Sequence, residues 1–133
     1  MITKIDPSAR IHPTAEIHPT AWVKEDVCID EGVVIGRGVH VLRDVTIRKG
    51  ARIGPEATLH EGVVIGNDAY VGTDSLLLEG VEIGAWAIVR EGSWFGPGVK
   101  IGEWVTTYPG RMMGDDTVAP CQGFMDALTE GWR

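Results

Sequence analysis

Residues 33–68 read VVIGRG, VHVLRD, VTIRKG, ARIGPE, ATLHEG and VVIGND, six hexads that open at Val33, Val39, Val45, Ala51, Ala57 and Val63. The third place of each is a large aliphatic residue: Ile35, Val41, Ile47, Ile53, Leu59 and Ile65. The first place holds a smaller one, Val or Ala. Stepping by six in both directions keeps the register from Ile5 to Ile101, seventeen hexads without an insertion. A free strand repeats every two residues and a helix every 3.6, so a strict six marks a repeat architecture. Large and small residues alternating on one face, with an outward residue between them, fit the wall of a narrow tube. Gly36, Gly54, Gly66, Gly72, Gly84 and Gly102 directly follow the large residue, and Pro7, Pro13, Pro19, Pro55 and Pro97 stand one place later. There a corner needs a fixed φ and no ladder N–H. Three sides of six make an 18-residue coil, so the chain predicts an all-β, three-sided parallel β-helix of five to six coils, roughly 25 Å tall at about 4.8 Å per coil.

With 133 residues this is one domain. The pattern of large apolar residues stops after Ile101, and Tyr108–Pro109–Gly110 reads as the exit, giving a helical prism over 1–108 and a connector with a terminal segment over 109–133. In that segment Phe124, Met125, Leu128 and Trp132 fall three to four apart, the stripe of a short C-terminal α-helix that needs the prism or a neighbouring subunit to pack on. A net charge of −7 argues against a nucleic-acid partner. No apolar run is long enough to span a membrane, and Met1–Asp6 lacks the apolar stretch of a secretory signal. Cys28 and Cys121 read as free thiols, and a cytoplasmic location is expected.

Sorting outward residues by side singles out one wall. The side built on Val23, Val41, Leu59, Leu77 and Phe95 presents Trp22, Leu42, Leu76, Leu78 and Trp94, with His40 and His60 set among them. An apolar wall of this kind marks a contact, and prisms meeting around a threefold axis would bury it as a homotrimer. His40 and His60 are the candidate catalytic groups, because an imidazole at such an interface can act as a general base. Arg43, Asp44, Glu61 and Asp74, with Glu56 and Glu79, are the charged residues expected to gather at the adjoining corner as a ligand clamp. His12 and His18 precede corner prolines on different sides and read as surface residues, and Trp86 and Trp104 read as a stack on another edge.

The hexads resemble the hexapeptide-repeat superfamily, which implies a left-handed helix. Within it, Val41–Leu42–Arg43–Asp44–Val45, Ile53–Gly54 and Leu59–His60–Glu61–Gly62–Val63 are similar to the segments V-x-R-G-D-V, I-x-I-G and I-Q-D-G-x-V of the gamma-class carbonic anhydrases. Those trimers hold zinc or iron between subunits with three histidines. The three positions fall here on Gly66, Thr73 and Leu78, so no metal ligands are carried over and zinc is not expected. The opening phrase Ile11–His12–Pro13–Thr14–Ala15, repeated from Ile17, resembles hexapeptide acyltransferases, which implies an acyl-coenzyme A cofactor and an interface histidine as base. Three readings follow. The main one is a metal-free relative of the gamma carbonic anhydrases with a ligand-binding or structural role. The alternative is an acyltransferase using His60 or His40, and the third is a scaffold subunit of a larger assembly.

Overall fold

The computed structural model describes residues 4–107, 109–110, 112–114 and 118–119. Each hexad forms a two-residue strand, and every strand pairs in parallel with the strand 18 residues away. The first face stacks seven strands, Lys4–Ile5, Trp22–Val23, His40–Val41, Thr58–Leu59, Leu76–Leu77, Trp94–Phe95 and Met112–Met113. The second runs from Arg10–Ile11 to Val118–Ala119, also seven strands, and the third from Glu16–Ile17 to Ile88–Val89, extended by a bridge from Ile88 to Thr106. The result is the left-handed parallel β-helix, an all-β fold. Among the described residues no helix is long and apolar enough to cross a membrane.

The prism extends past the expected exit. Met112–Met113 pairs with Trp94–Phe95 and Val118–Ala119 with Lys100–Ile101, so the stretch from 109, read above as a connector, still carries strands of the prism. The register of six is kept through Thr107, Met113 and Ala119; the periodicity fades only because a threonine and an alanine replace large aliphatics. The expected helix through Phe124, Met125, Leu128 and Trp132 lies outside the described residues.

The core is the two inward columns. Val33, Val39, Val45, Ala51, Ala57 and Val63 are buried beside Ile35, Val41, Ile47, Ile53, Leu59 and Ile65, and Phe95 fills the large position near the C-terminal end. Ser75 and Ser93 occupy small positions and are satisfied by donating to the Arg90 carbonyl at 3.4 and 2.7 Å. The glycines that close each side answer a close approach. A Cβ at Gly66 would stand 2.6 Å from the Ala85 amide nitrogen and 2.7 Å from the Gly84 carbonyl carbon.

Two kinds of corner are present. From Asp26 on, the second turn residue takes a positive φ, and from Asp44 on its amide donates to a carbonyl one coil below, as in Asp44 N to Glu25 O at 3.2 Å and Gly50 N to Glu31 O at 2.9 Å. In the first coil a hydroxyl replaces that carbonyl. Asp26 N donates to Ser8 Oγ, Gly32 N to Thr14 Oγ1 and Gly38 N to Thr20 Oγ1, at 2.9 to 3.0 Å. Each hydroxyl is held by the residue two places before it: Ser8 by Asp6 Oδ1, Thr14 by His12 Nδ1 and Thr20 by His18 Nδ1, all at 2.8 Å. His12 and His18 are therefore turn caps equivalent to Asp6, a role that the repeated His-Pro-Thr beside Asp-Pro-Ser would have disclosed.

Two predictions follow from these contacts. Gly66→Ala meets backbone and is expected to cost about 1–3 kcal/mol or more. Gly80→Ala, with open space but a φ of 72°, should cost about 1–2 kcal/mol from backbone strain alone. Denaturant unfolding of both variants checks the order. The Ser8 amide and hydroxyl hold the Asp6 carboxyl below the usual aspartate range. A depressed folded value means the cap contributes fully above the unfolded value and is lost as pH falls through the folded one, from about pH 4 downward. Amide exchange at Asp26 should accelerate over that window, and Asp6→Asn should remove the acid dependence.

Candidate functional site

The outward side chains of the first face form two columns. Trp22, His40, Thr58, Leu76 and Trp94 are in register along one. Lys24, Leu42, His60, Leu78 and Gly96 form the second, two residues further along each hexad and nearer the corner with the second face. The two candidate histidines fall in different columns. His40 is exposed and its ring lies flat on the Trp22 indole, centroids 5.8 Å apart and planes 6° from parallel. That contact occupies one face of the imidazole.

His60 is different. It is half-buried, its backbone amide donates to Leu77 O at 2.8 Å, and its ring has no hydrogen bond, ion pair or ring contact among the described residues. Leu42 and Leu78 flank it one coil below and one above, about 4.8 Å away along the prism. Beside it Arg43 Nε meets Glu61 Oε2 at 3.1 Å, also one coil apart. Lys24, Glu25, Leu42, Arg43 and Glu61 line a hollow of about 270 Å³ there. Asp44 stands at the same corner, exposed, in a left-handed turn with φ 60°.

Asp74 does not join this group, and neither does Glu56. Both occupy the turn between the third and first faces, across the width of the wall from Arg43, where Asp74 lines a separate hollow with Tyr70, Thr73, Glu91 and Gly92. The single charged corner expected from the sequence is two corners, because turns 55–56 and 73–74 enter the first face whereas turns 43–44 and 61–62 leave it.

A larger hollow of about 380 Å³ runs along the second face over Gly66, Gly84 and Gly102, with Arg48 and Lys100 among its lining. It holds no histidine, and Lys100 is already paired with Glu82 at 3.7 Å. The three positions that correspond to the carbonic anhydrase metal ligands lie at different edges of the prism. Gly66 borders the second face, Thr73 lies at the corner entering the first and Leu78 near the corner leaving it. A side chain at 66 would strike backbone. Among the described residues no group of three His, Cys, Asp or Glu is placed to hold a metal ion.

Several solved structures share this fold. The acetyltransferase domain of PglB from Neisseria gonorrhoeae, solved in complex with acetyl coenzyme A, superposes with a TM-score of 0.81 at 21% identity, over 86% of this chain and 55% of that one. A UDP-N-acetylglucosamine acyltransferase superposes at 0.60 with 18% identity, over 89% of this chain and 65% of the other. The Francisella novicida UDP-N-acetylglucosamine acyltransferase follows at 0.56 and 16%, over 86% and 55%. This chain thus spans little more than half the length of the PglB domain and the Francisella enzyme. These likenesses establish the hexapeptide-repeat left-handed β-helix. No protein-family model and no curated protein matches the chain.

The Arg43–Glu61 pair is about half exposed on both sides, which limits its worth to roughly 0–1 kcal/mol. Glu61→Gln should therefore shift the thermal midpoint little, and a calorimetric scan will show whether the pair serves the site or the fold.

Proposed function

We propose that the chain is an acyltransferase, carrying an acyl group from an acyl-coenzyme A or similar thioester to an amine or hydroxyl acceptor, with His60 as general base in a homotrimer. The observation that carries this reading is the half-buried, unpartnered imidazole of His60 on a prism that matches an acetyltransferase domain solved with acetyl coenzyme A. It takes precedence over the ligand-binding reading drawn from the carbonic anhydrase resemblance because several acyltransferases share the prism.

His60 removes the proton from the acceptor N–H or O–H as that atom attacks the thioester carbonyl. The carbon–sulfur bond then breaks, and the imidazolium returns its proton to the departing thiolate, so the thioester and the acceptor are the only reactants. Lys24 and Arg43 flank the hollow and can meet the anionic parts of a thioester carrier, with Glu61 holding Arg43 in place. Asp74, on the opposite edge, has no part in this step. His40 supports the wall through Trp22. A cytoplasmic setting, where acyl-coenzyme A is made, suits the reading.

The test is thiol release from acetyl-coenzyme A with a panel of amino sugars, amines and alcohols. His60→Ala should lower turnover by roughly 10²–10⁴, the usual worth of a general base, while His40→Ala leaves it nearly unchanged. Absence of thiol release with every acceptor, together with no binding of coenzyme A at equilibrium, would favour the structural or scaffold role.

A further inference from the structure

The first coil is fastened to the second by three side-chain caps, and two of them are histidines. Asp6–Pro7–Ser8–Ala9, His12–Pro13–Thr14–Ala15 and His18–Pro19–Thr20–Ala21 are equivalent turns, each closed by the alanine amide donating to the first residue's carbonyl at 2.9 to 3.0 Å. In each, the hydroxyl of the third residue accepts the amide of a left-handed residue one coil above, Asp26, Gly32 or Gly38. The first residue holds both that hydroxyl and the third residue's own amide on a single atom. In Asp6 the atom is a carboxylate oxygen; in His12 and His18 it is Nδ1.

Counting donors fixes the state of both rings. Thr14 N donates to His12 Nδ1 at 3.1 Å and Thr20 N to His18 Nδ1 at 3.2 Å, which requires a lone pair on each nitrogen. Each threonine oxygen already accepts a glycine amide at 3.0 Å, so its own hydrogen points to Nδ1, 2.8 Å away. Nδ1 therefore receives two donors, and both rings are neutral with their hydrogen on Nε2. A proton added to Nδ1 sets one N–H donor against another at the threonine amide. The ring must swing out, the hydroxyl loses its anchor, and the glycine amide above loses the atom that held it. We infer that His12 and His18 form a pH-sensitive latch between the first two coils, closed while both rings are neutral and released when they take up a proton.

The surroundings let both rings titrate. His12 shares a hollow with Arg10, Cys28, Asp30 and Arg48, and Glu31 stands in the turn above it. His18 shares one with Glu16, and Arg37 stands in the turn above. Each ring thus has charges of both signs nearby, and each is exposed, so solvent can deliver the proton. Histidine is the side chain whose charge changes between about pH 5 and 8, so these bonds are present at neutral pH and above and are lost as pH falls through that range. Asp6, with Lys24 one coil above it, makes the same bonds through a carboxylate and keeps them to lower pH. Mild acid accordingly frees two corners of the first coil while the Asp6 corner stays fastened. The latch involves no residue of the His60 cleft and stands apart from the acyl-transfer reading.

Nuclear magnetic resonance on the whole chain tests the latch. At about pH 7.5 the ring nitrogen shifts of His12 and His18 should report the Nε2–H tautomer. Between about pH 7.5 and about pH 5, the exchange protection of the Thr14, Thr20, Gly32 and Gly38 amides should fall roughly three- to tenfold, the worth of a lost cap. Asp26, capped through Asp6, and Gly80, whose amide donates to Glu61 O at 3.0 Å in the middle of the prism, should keep theirs. Pairing His12→Asn with His18→Asn supplies an acceptor oxygen that does not titrate and should hold the protection at both pH values. Pairing His12→Asp with His18→Asp should move the loss to below about pH 4. An Nδ1–H tautomer, a loss confined to Thr14 and Thr20, an equal loss at Gly80, or a folded asparagine pair that still loosens in mild acid would each overturn the inference. Should the paired variants not fold, the wild-type tautomer and the comparison with Gly80 decide it.

Discussion

The amide-to-carbonyl ladder between coils is the constraint from which the rest of the molecule follows. Thr46 N donates to Val63 O and Val64 N to Val81 O, both at 2.9 Å, and the same span of seventeen residues recurs on every face. Since each corner takes the same number of residues, the phase set in one coil is inherited by the next. A residue's place in the hexad therefore decides whether it points into the tube, out of a face or into a turn. The narrow interior then admits one large and one small side chain per side. The tight return of the chain leaves no room for a Cβ at Gly54, Gly66, Gly72 and Gly84.

That inheritance is why the fold was legible from the sequence. Register, facing columns and the three-way division could be read by counting, and the strand pairs Thr58–Leu76 and Tyr70–Ile88 stand where the count puts them. Counting failed where composition was used in its place. Thr107 and Ala119 keep the phase but lack bulk, so the strands around Met113 and Ala119 were read as connector. Asp74 and Arg43 were grouped by closeness to one wall, although the direction of the chain through a hexad assigns their turns to opposite edges. His12 and His18 looked idle because their work is local: each ring nitrogen holds a threonine hydroxyl that caps the coil above.

The site was less legible because periodicity treats all outward residues alike. His40 and His60 satisfy the same outward rule, and nothing in the repeat separates them. Their difference comes from neighbours one coil away, an indole for His40 and two leucines for His60. The imidazole of His40 lies flat against an indole, whereas that of His60 stands between aliphatic side chains one coil away on either side. The charged groups near it come from the corner, where Arg43 and Glu61 reach each other across a single coil.

A prism has flat sides, and flat sides make poor active sites. The hollow beside His60 is shallow, and no loop rises from the described hexads to cover it. Among the described strands the large exposed apolar residues, Trp22, Tyr70, Ile88 and Trp94, lie on two faces that share an edge. The outer part of the first face keeps its charge. On the first face Trp22 and Trp94 stand in the column nearer the third face, whereas Lys24, Arg43 and Glu61 lie toward the second, so apolar and charged groups are separated across the width of one flat side.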